Sequence, residues 1–299
     1  MSNKNSNSIN FDSFVAQFMG NYSEPFIYDN KQIKLFPLSI ASDFIKAPIA
    51  LFRANYNFLL LFLDGGGEQQ VDSDVFELKA NDVLFIREGH LNAIKSIHAS
   101  TNGYFIYIDN AILSRIFSKK ATLNCFSFNP KHAVSISDMK WLCQCCDLML
   151  QNNNNNSTSS TEINVSLLKT IILKLAETWF PATSKPNRQT EITMLFKELL
   201  YENFIVRKDI NFYANSLSVS ENYLNRCVNE VTNKPPKQHI IELLISHSKL
   251  LLQDFSKDIS QVAFELNFSD PSYFGRVFKQ ITKQTPTEYR YSVMQDLSE

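Results

Sequence analysis

Apolar positions fall into three textures along the chain. Residues 11–20 (FDSFVAQFMG) place Phe11, Phe14, Val15 and Phe18 at helical spacing. From about 26 to 108, short apolar or alternating runs recur: IKLFPLSI, IALFRA, YNFLLLFL, VFELKA, DVLFIR and GYFIYI. Turn signals separate them, at Gly65-Gly66-Gly67, Asn81-Asp82, Glu88-Gly89 and Asn102-Gly103. Many short strands with regular turns predict an antiparallel sandwich or barrel, and the triple glycine reads as a hairpin turn. From about 109 the pattern turns helical. DMKWLCQCCDLML (138–150) and INVSLLKTIILKLAETW (163–179) form two amphipathic runs. The Asn/Ser/Thr stretch from Gln151 to Thr161 between them buries too little apolar surface to order itself and reads as a floppy connector. Pro181 and Pro186 mark a break before the last domain.

That last domain repeats a plan. Residues 211–240 and 259–290 each show a short helix containing a small residue (Ala214, Ala263), a tight turn, and a second helix. The second helices share an apolar frame of Leu224, Val228 and Val231 in one and Phe274, Phe278 and Ile281 in the other. Asn267 stands where a left-handed turn residue is wanted, and Phe268 follows as a core plug. Asp270 suits the N-cap, with Pro271 at the first helical position. Ser220 plays the same capping part before Glu221. Residues 237–253 (KQHIIELLISHSKLLLQ) read as one long connecting helix of roughly 25 Å. Such a spacer suits two reading helices in successive major grooves, about 34 Å apart.

The outward faces carry the chemistry. Asn222, Asn225, Arg226 and Asn229 lie off the first frame, and Ser272, Gly275, Arg276 and Lys279 off the second. Asn pairs bidentately with adenine and Arg with guanine, while Ser serves either. Gly275 would permit close approach of the helix to DNA. Arg226 and Arg276 hold equivalent places, two residues past Leu224 and Phe274. Lys234, Lys237, Lys279 and Lys283 are candidates for phosphate contact. One such unit alone is weak evidence, since helical bundles often contain the pattern. Two units with one frame, a rigid spacer and matched arginines point to double-stranded DNA.

Net charge counts against this reading rather than for it. The chain of 299 residues has a formal net charge of −1. Residues 188–299 hold 13 Lys and Arg against 14 Asp and Glu by count along the sequence, so affinity must come from where the basic groups sit. No run of 18 apolar residues occurs, so no membrane span is expected. The polar start MSNKNSNSIN lacks a secretion signal's apolar core. Cys143, Cys145 and Cys146 crowd too closely to staple a fold and read as reduced thiols of a cytoplasmic protein.

Ile259 to Arg290 (ISQVAFELNFSDPSYFGRVFKQITKQTPTEYR) resembles the C-terminal signature of the AraC/XylS family of regulators. The carrying features are the apolar-Ala turn, the Phe268-Ser269-Asp270 corner, Tyr273-Phe274, Arg276-Val277-Phe278-Lys279, and Pro286 before Tyr289-Arg290. The match covers roughly 195–299. Carried over position by position, the family's base contacts fall on Asn222, Asn225, Arg226, Ser272 and Arg276. Departures are Asn267 where Gly is usual, Val228 where Phe is common, and Pro235-Pro236 after the first unit. Asn222 stands at a position that is often larger, so no recognised sequence carries over. The resemblance further implies an α+β multidomain chain. Its N-terminal antiparallel β jelly roll, cupin-like, would bind a small-molecule effector, and helices after it would form a homodimer. The domains implied are 1–135 for sensing, 136–187 for a helical hairpin linker and 188–299 for DNA binding. RNA polymerase is a further expected partner.

The sequence leaves two other functions open. A metal-dependent cupin enzyme needs a His-x-His pair, a carboxylate and a third His. Here His90 and His98 stand eight apart with Glu68, Glu77 and Glu88 nearby, and read as core or surface residues. No catalytic residue, metal or cofactor is expected. A protein-binding helical module would leave the matched arginines without a role. The apolar stripes Leu142, Cys145, Cys146, Met149 and Leu167, Leu168, Ile171, Ile172, Leu175 exceed what one hairpin needs to close on itself. Dimerisation and packing against the barrel are the two uses for them.

Overall fold

The computed structural model describes residues 8–19, 28–29, 32–116, 129–152, 158–179 and 187–296. The chain divides into two compact units, Met1–Pro186 and Asn187–Glu299.

The first unit is a two-sheet sandwich. Its strands are β1 (Ser8–Ile9), β2 (Tyr28–Asp29), β3 (Ile33–Pro37), β4 (Ile49–Ala54), β5 (Asn57–Asp64), β6 (Gly67–Val71), β7 (Asp74–Leu78), β8 (Asp82–Ile86), β9 (Leu91–Ile97), β10 (Asn102–Ile108) and β11 (Lys131–Ala133). One sheet runs β1-β4-β9-β6-β7 and the other β11-β8-β5-β10-β3-β2. Pairing is antiparallel except between β1 and β4. The jelly-roll expectation holds, as an open sandwich rather than a closed barrel. The Gly65–Gly67 segment is not a hairpin turn, because it carries the chain from β5 in one sheet to β6 in the other. A Cβ on Gly66 would stand 1.9 Å from the Leu78 carbonyl oxygen, so only glycine allows this passage. Asn102-Gly103 lies within β10 at a bulge rather than in a turn.

The uninterrupted apolar run of β5 has a direct cause. Its sheet is covered on both faces, which removes the usual alternation. Phe58, Leu60 and Phe62 face the sandwich interior, while Leu59 and Leu61 face helices. Those helices are α3 (Asn110–Ile116), α4 (Ile136–Asn152) and α5 (Thr158–Trp179), which follow α1 (Phe11–Phe18) and α2 (Leu38–Phe44). Leu142, Cys145, Cys146 and Met149 of α4 pack on this outer face with Leu168, Ile171, Ile172 and Leu175 of α5. The apolar stripes of the hairpin are therefore consumed by the sheet. What remains exposed are scattered large groups, Ile136, Trp141 and Leu148 on α4 and Ile163 and Leu173 on α5. Burial pushes the Cys143 thiol up to about 11 and raises Cys145 and Cys146 as well, which leaves little reactive thiolate. The Asn/Ser/Thr connector is shorter than expected, because Gln151 and Asn152 end α4 and 158–161 already belong to α5, where Asn152 and Ser160 hydrogen-bond to each other; 153–157, Pro181 and Pro186 lie outside the described residues.

Within the sandwich, aromatic rings dominate. Phe11 of α1 stacks on Phe105 at 5.5 Å and meets Tyr56 edge-on at the same distance. Phe14 packs on Phe52, and Lys34 pairs with Asp12 at 3.0 Å, so α1 is docked on the sandwich. Beside it lies a cavity of about 70 Å³ with largely apolar walls. His90 is buried and meets Asp72 at 2.7 Å, in a pair that ties the β6–β7 turn to the start of β9. Among the described residues no group of three His, Cys, Asp or Glu could hold a metal ion.

The second unit is all helix: α6 (Arg188–Asn203), α7 (Ile210–Ser216), α8 (Glu221–Thr232), α9 (Pro236–Leu252), α10 (Ile259–Glu265), α11 (Pro271–Thr282) and α12 (Pro286–Asp296). Helix α9 is the spacer expected over 237–253, and it is buried along most of its length. One core joins Phe196, Tyr213, Leu224, Leu244, Phe274 and Phe278. Among the described residues, no helix of either unit is long and apolar enough to cross a membrane.

Candidate nucleic-acid interface

The repeat seen in the sequence is a repeat in hydrogen bonds. Asp209 caps α7 and Asp258 caps α10, each accepting from a backbone amide three residues on. Both short helices then end in a left-handed residue, Ser218 at φ 56° and Asn267 at φ 58°. The next amide, of Val219 or Phe268, donates to the carbonyl of Ala214 or Ala263. Those alanines are almost fully buried, which lets the two helices of each unit cross closely. Ser220 Oγ accepts from the Tyr223 amide, and the Asp270 carboxylate accepts from those of Ser272 and Tyr273. Both second helices end in the left-handed region, at Asn233 and Lys283. Thr232 and Thr282 Oγ1 accept from the amides two residues on, of Lys234 and Gln284.

These joints fix which faces point out. Leu224, Cys227 and Val228 are buried in α8, and Phe274 and Phe278 in α11. Val231 and Ile281 leave the expected frame. They sit one turn past the helix crossing, half-buried and 39% exposed respectively. Of the candidate readers, Asn222, Arg226, Asn229, Ser272, Arg276 and Lys279 are exposed, while Asn225 and Gly275 are half-buried. Asn225 donates its amide to the Glu221 carbonyl at 2.9 Å, so it must release its own helix before pairing with a base. A Cβ on Gly275 would meet nothing within 4 Å, so the fold itself does not demand glycine there. Of the lysines, Lys237, Lys279 and Lys283 are exposed. Lys234 is paired with Glu242 at 2.9 Å, and Lys283 donates to the Gln280 carbonyl.

A further match was missed in the sequence. The Arg226 guanidinium lies over the Tyr223 ring at 5.0 Å, and Arg276 lies over Tyr273 at 5.8 Å. Each tyrosine precedes its arginine by three residues, the spacing that stacks side chains on one helix face. The signal was present as Tyr-x-x-Arg in both units. Arg276 also stands 4.0 Å from Asp270, a loose pair between exposed groups. Arg290 has a different part. Its Nε donates to the Leu252 carbonyl and its Nη1 to that of Lys257, so it locks α12 to the α9–α10 junction.

His239 follows Pro236 as Tyr289 follows Pro286, and its Nε2 lies 2.9 Å from Thr232 Oγ1. Burial, helped by the Lys197 charge, pushes its pKa down to about 4. The unfolded chain takes up this proton near pH 6.5, so between those values the unfolded state binds more protons. His239 thus contributes stability above about pH 6.5 that is lost as pH falls toward 4. His239→Tyr should shrink the fall in Tm between pH 7 and 4.5. An unaltered pH profile would contradict this assignment.

Residues 213–292 match the family profile of a helix-turn-helix domain. Over 239 residues the chain is 22% identical to YdeC of Bacillus subtilis, described as an uncharacterized HTH-type transcriptional regulator, with 77% of this chain and 82% of that one covered. It is 21% identical over 271 residues to the HTH-type transcriptional activator RhaR of Mannheimia succiniciproducens, covering 85% of this chain and 91% of that one. Among solved structures, ToxT of Vibrio cholerae aligns over 87% of this chain and 97% of its own, at 13% identity and a TM-score of 0.41. Two like-built helix pairs with capped, outward-facing second helices therefore form a helix-turn-helix domain, and the chain is similar to known HTH-type transcriptional regulators.

Proposed function

We propose that α8 and α11 enter successive major grooves on one face of a duplex, and that a small molecule in the sandwich cavity modulates the affinity. The observation that carries the DNA reading is an exposed arginine stacked on a tyrosine three residues before it, at matching places in two units joined by one long helix. Arg226 and Arg276 contact guanine edges, and Asn222, Asn229 and Ser272 supply the smaller polar contacts. Asn225 joins them once it leaves Glu221. Gly275 keeps the backbone of α11 near the bases, and Lys237 and Lys279 contact phosphates. The chain acts in the cytoplasm, catalyses no reaction and works by altering access of RNA polymerase to a promoter. A homodimer, if formed through the hairpin, uses Trp141 and Leu148 rather than the stripes buried on the sheet.

Selection from a random duplex pool tests this. The enriched sites should hold two conserved blocks about one helical turn apart. Arg226→Ala should relax preference at a single base pair in one block, and Arg276→Ala at one in the other. Relaxation of both blocks by one substitution would refute the assignment of one arginine to each groove. For the effector, a compound that occupies the cavity must shift operator affinity, since a ligand with equal affinity for both states shifts nothing.

A further inference from the structure

The sandwich cavity has a chemical bias. Its walls are mainly phenylalanine and aliphatic side chains, with Phe11 and Phe14 of α1 at one side. Among the described lining residues there is no Lys, Arg or His, and the side chain of the one acid, Glu68, is exposed. A carboxylate or ammonium ligand would therefore lose its hydration without gaining a counter-charge.

Four polar side chains remain on the wall, and two are already used. Thr101 Oγ1 donates to the Gly66 carbonyl and accepts from its amide, and Ser96 Oγ accepts from the Glu68 amide. The other two are Gln69, 6% exposed, and Tyr56, 3% exposed. Gln69 shares the inner face of β6 with Val71 and stands opposite Phe76 and Ile94, which pack on the interior core. Neither the Gln69 amide nor the Tyr56 hydroxyl has a hydrogen-bond partner among the described residues. Neither is among the polar atoms wholly shut off from solvent without a partner, so both polar ends open onto the cavity, where a bound molecule can meet them.

We infer that the cavity binds a small, uncharged, mainly apolar molecule bearing a hydroxyl or carbonyl group, which Gln69 and Tyr56 recognise. The amide offers both a donor and an acceptor, and the phenol does too, so either ligand group is served. A volume of about 70 Å³ holds on the order of five water-sized units. That limits the occupant to a short chain or small ring while α1 stays docked. This inference rests on the effector reading above and specifies the ligand's class.

The test uses the full chain and four probes of one shape: cyclopentanol, cyclopentane, cyclopentylammonium and cyclopentanecarboxylate. Calorimetry and ligand-detected NMR should show cyclopentanol binding, with both ions at least tenfold weaker. Gln69→Leu and Tyr56→Phe should each weaken cyclopentanol at least fivefold and leave cyclopentane within twofold. In the free protein, Gln69→Leu should hold or raise Tm, because it removes a buried amide without a partner. A clear fall in Tm would mean that the amide is satisfied structurally, and would overturn the inference. So would tighter binding of an ion, undiminished cyclopentanol binding by both variants, or no binding by any probe. Operator affinity is read in parallel. Cyclopentanol bound without effect on DNA affinity would sink the effector reading and leave the ligand class standing. An ion that binds and shifts DNA affinity would do the reverse.

Discussion

Arg226→Ala combined with Arg276→Ala should weaken binding to a selected operator by roughly 30-fold to 10⁴-fold. Each bidentate arginine–guanine contact is worth about 1–3 kcal/mol of discrimination, and every 1.4 kcal/mol is tenfold in affinity. Both side chains are exposed, and their protein contacts are a tyrosine face each and, for Arg276, a loose approach to Asp270. An exposed cation–π contact is worth about 0.5–1 kcal/mol, so Tm should move by only a few degrees. Arginine-to-lysine changes at the two sites separate base reading from charge. They keep the cation but lose the planar fork, so specific binding should fall while non-specific binding holds. Gel-shift titration against the operator and a scrambled duplex checks both results. Equal loss on the two duplexes would assign these arginines to phosphates instead.

Phe274→Ala should have the largest effect on stability. The ring is fully buried and packs on Phe268 at 5.3 Å and Phe278 at 5.7 Å. Large-to-small changes of this kind cost about 3–5 kcal/mol, part of it from the cavity left behind. For a helical unit of this size that is a fall in Tm on the order of 10–20 °C. The loss should appear in thermal melts of the full chain and carry DNA binding with it near 37 °C. Phe274→Leu should recover much of it. A variant that melts like the parent would mean that the second helix pair is not held by this core.

The parts of the fold that were legible in the sequence are those decided by local chemistry. The start of α11 is set by Asp270 and Pro271, as their capping chemistry predicts. Asn267 adopts the positive φ that its side chain tolerates. The spacer α9 differs from its expected span by one residue at each end. What escaped notice depends on neighbours far along the chain. β9 (LNAIKSI) and β6 (GEQQV) read poorly alone, yet they pair with each other in the middle of their sheet. The triple glycine looked like a hairpin because nothing nearby reveals that β5 and β6 belong to different sheets. The apolar stripes of α4 and α5 looked surplus because the outer face of a distant sheet absorbs them.

At the DNA face, the reading residues were legible as types at helical spacing, and Arg226 and Arg276 emerged as a matched pair. Their supports were not. Tyr223 and Tyr273 acquire a role only from the stacking of the guanidinium groups over their rings. Lys234 looked available for phosphate, but Glu242 arrives from α9 to take it. The engagement of Asn225 with its own helix is likewise a detail of rotamer, not of order along the chain.

Hydroxyl-radical footprinting of the full chain on its selected site probes the geometry at the heart of this reading. Two protected patches on the same face of the duplex, about 10.5 base pairs apart, are the expected pattern. One patch alone, or two on opposite faces, would mean that α8 and α11 do not read one stretch of DNA together.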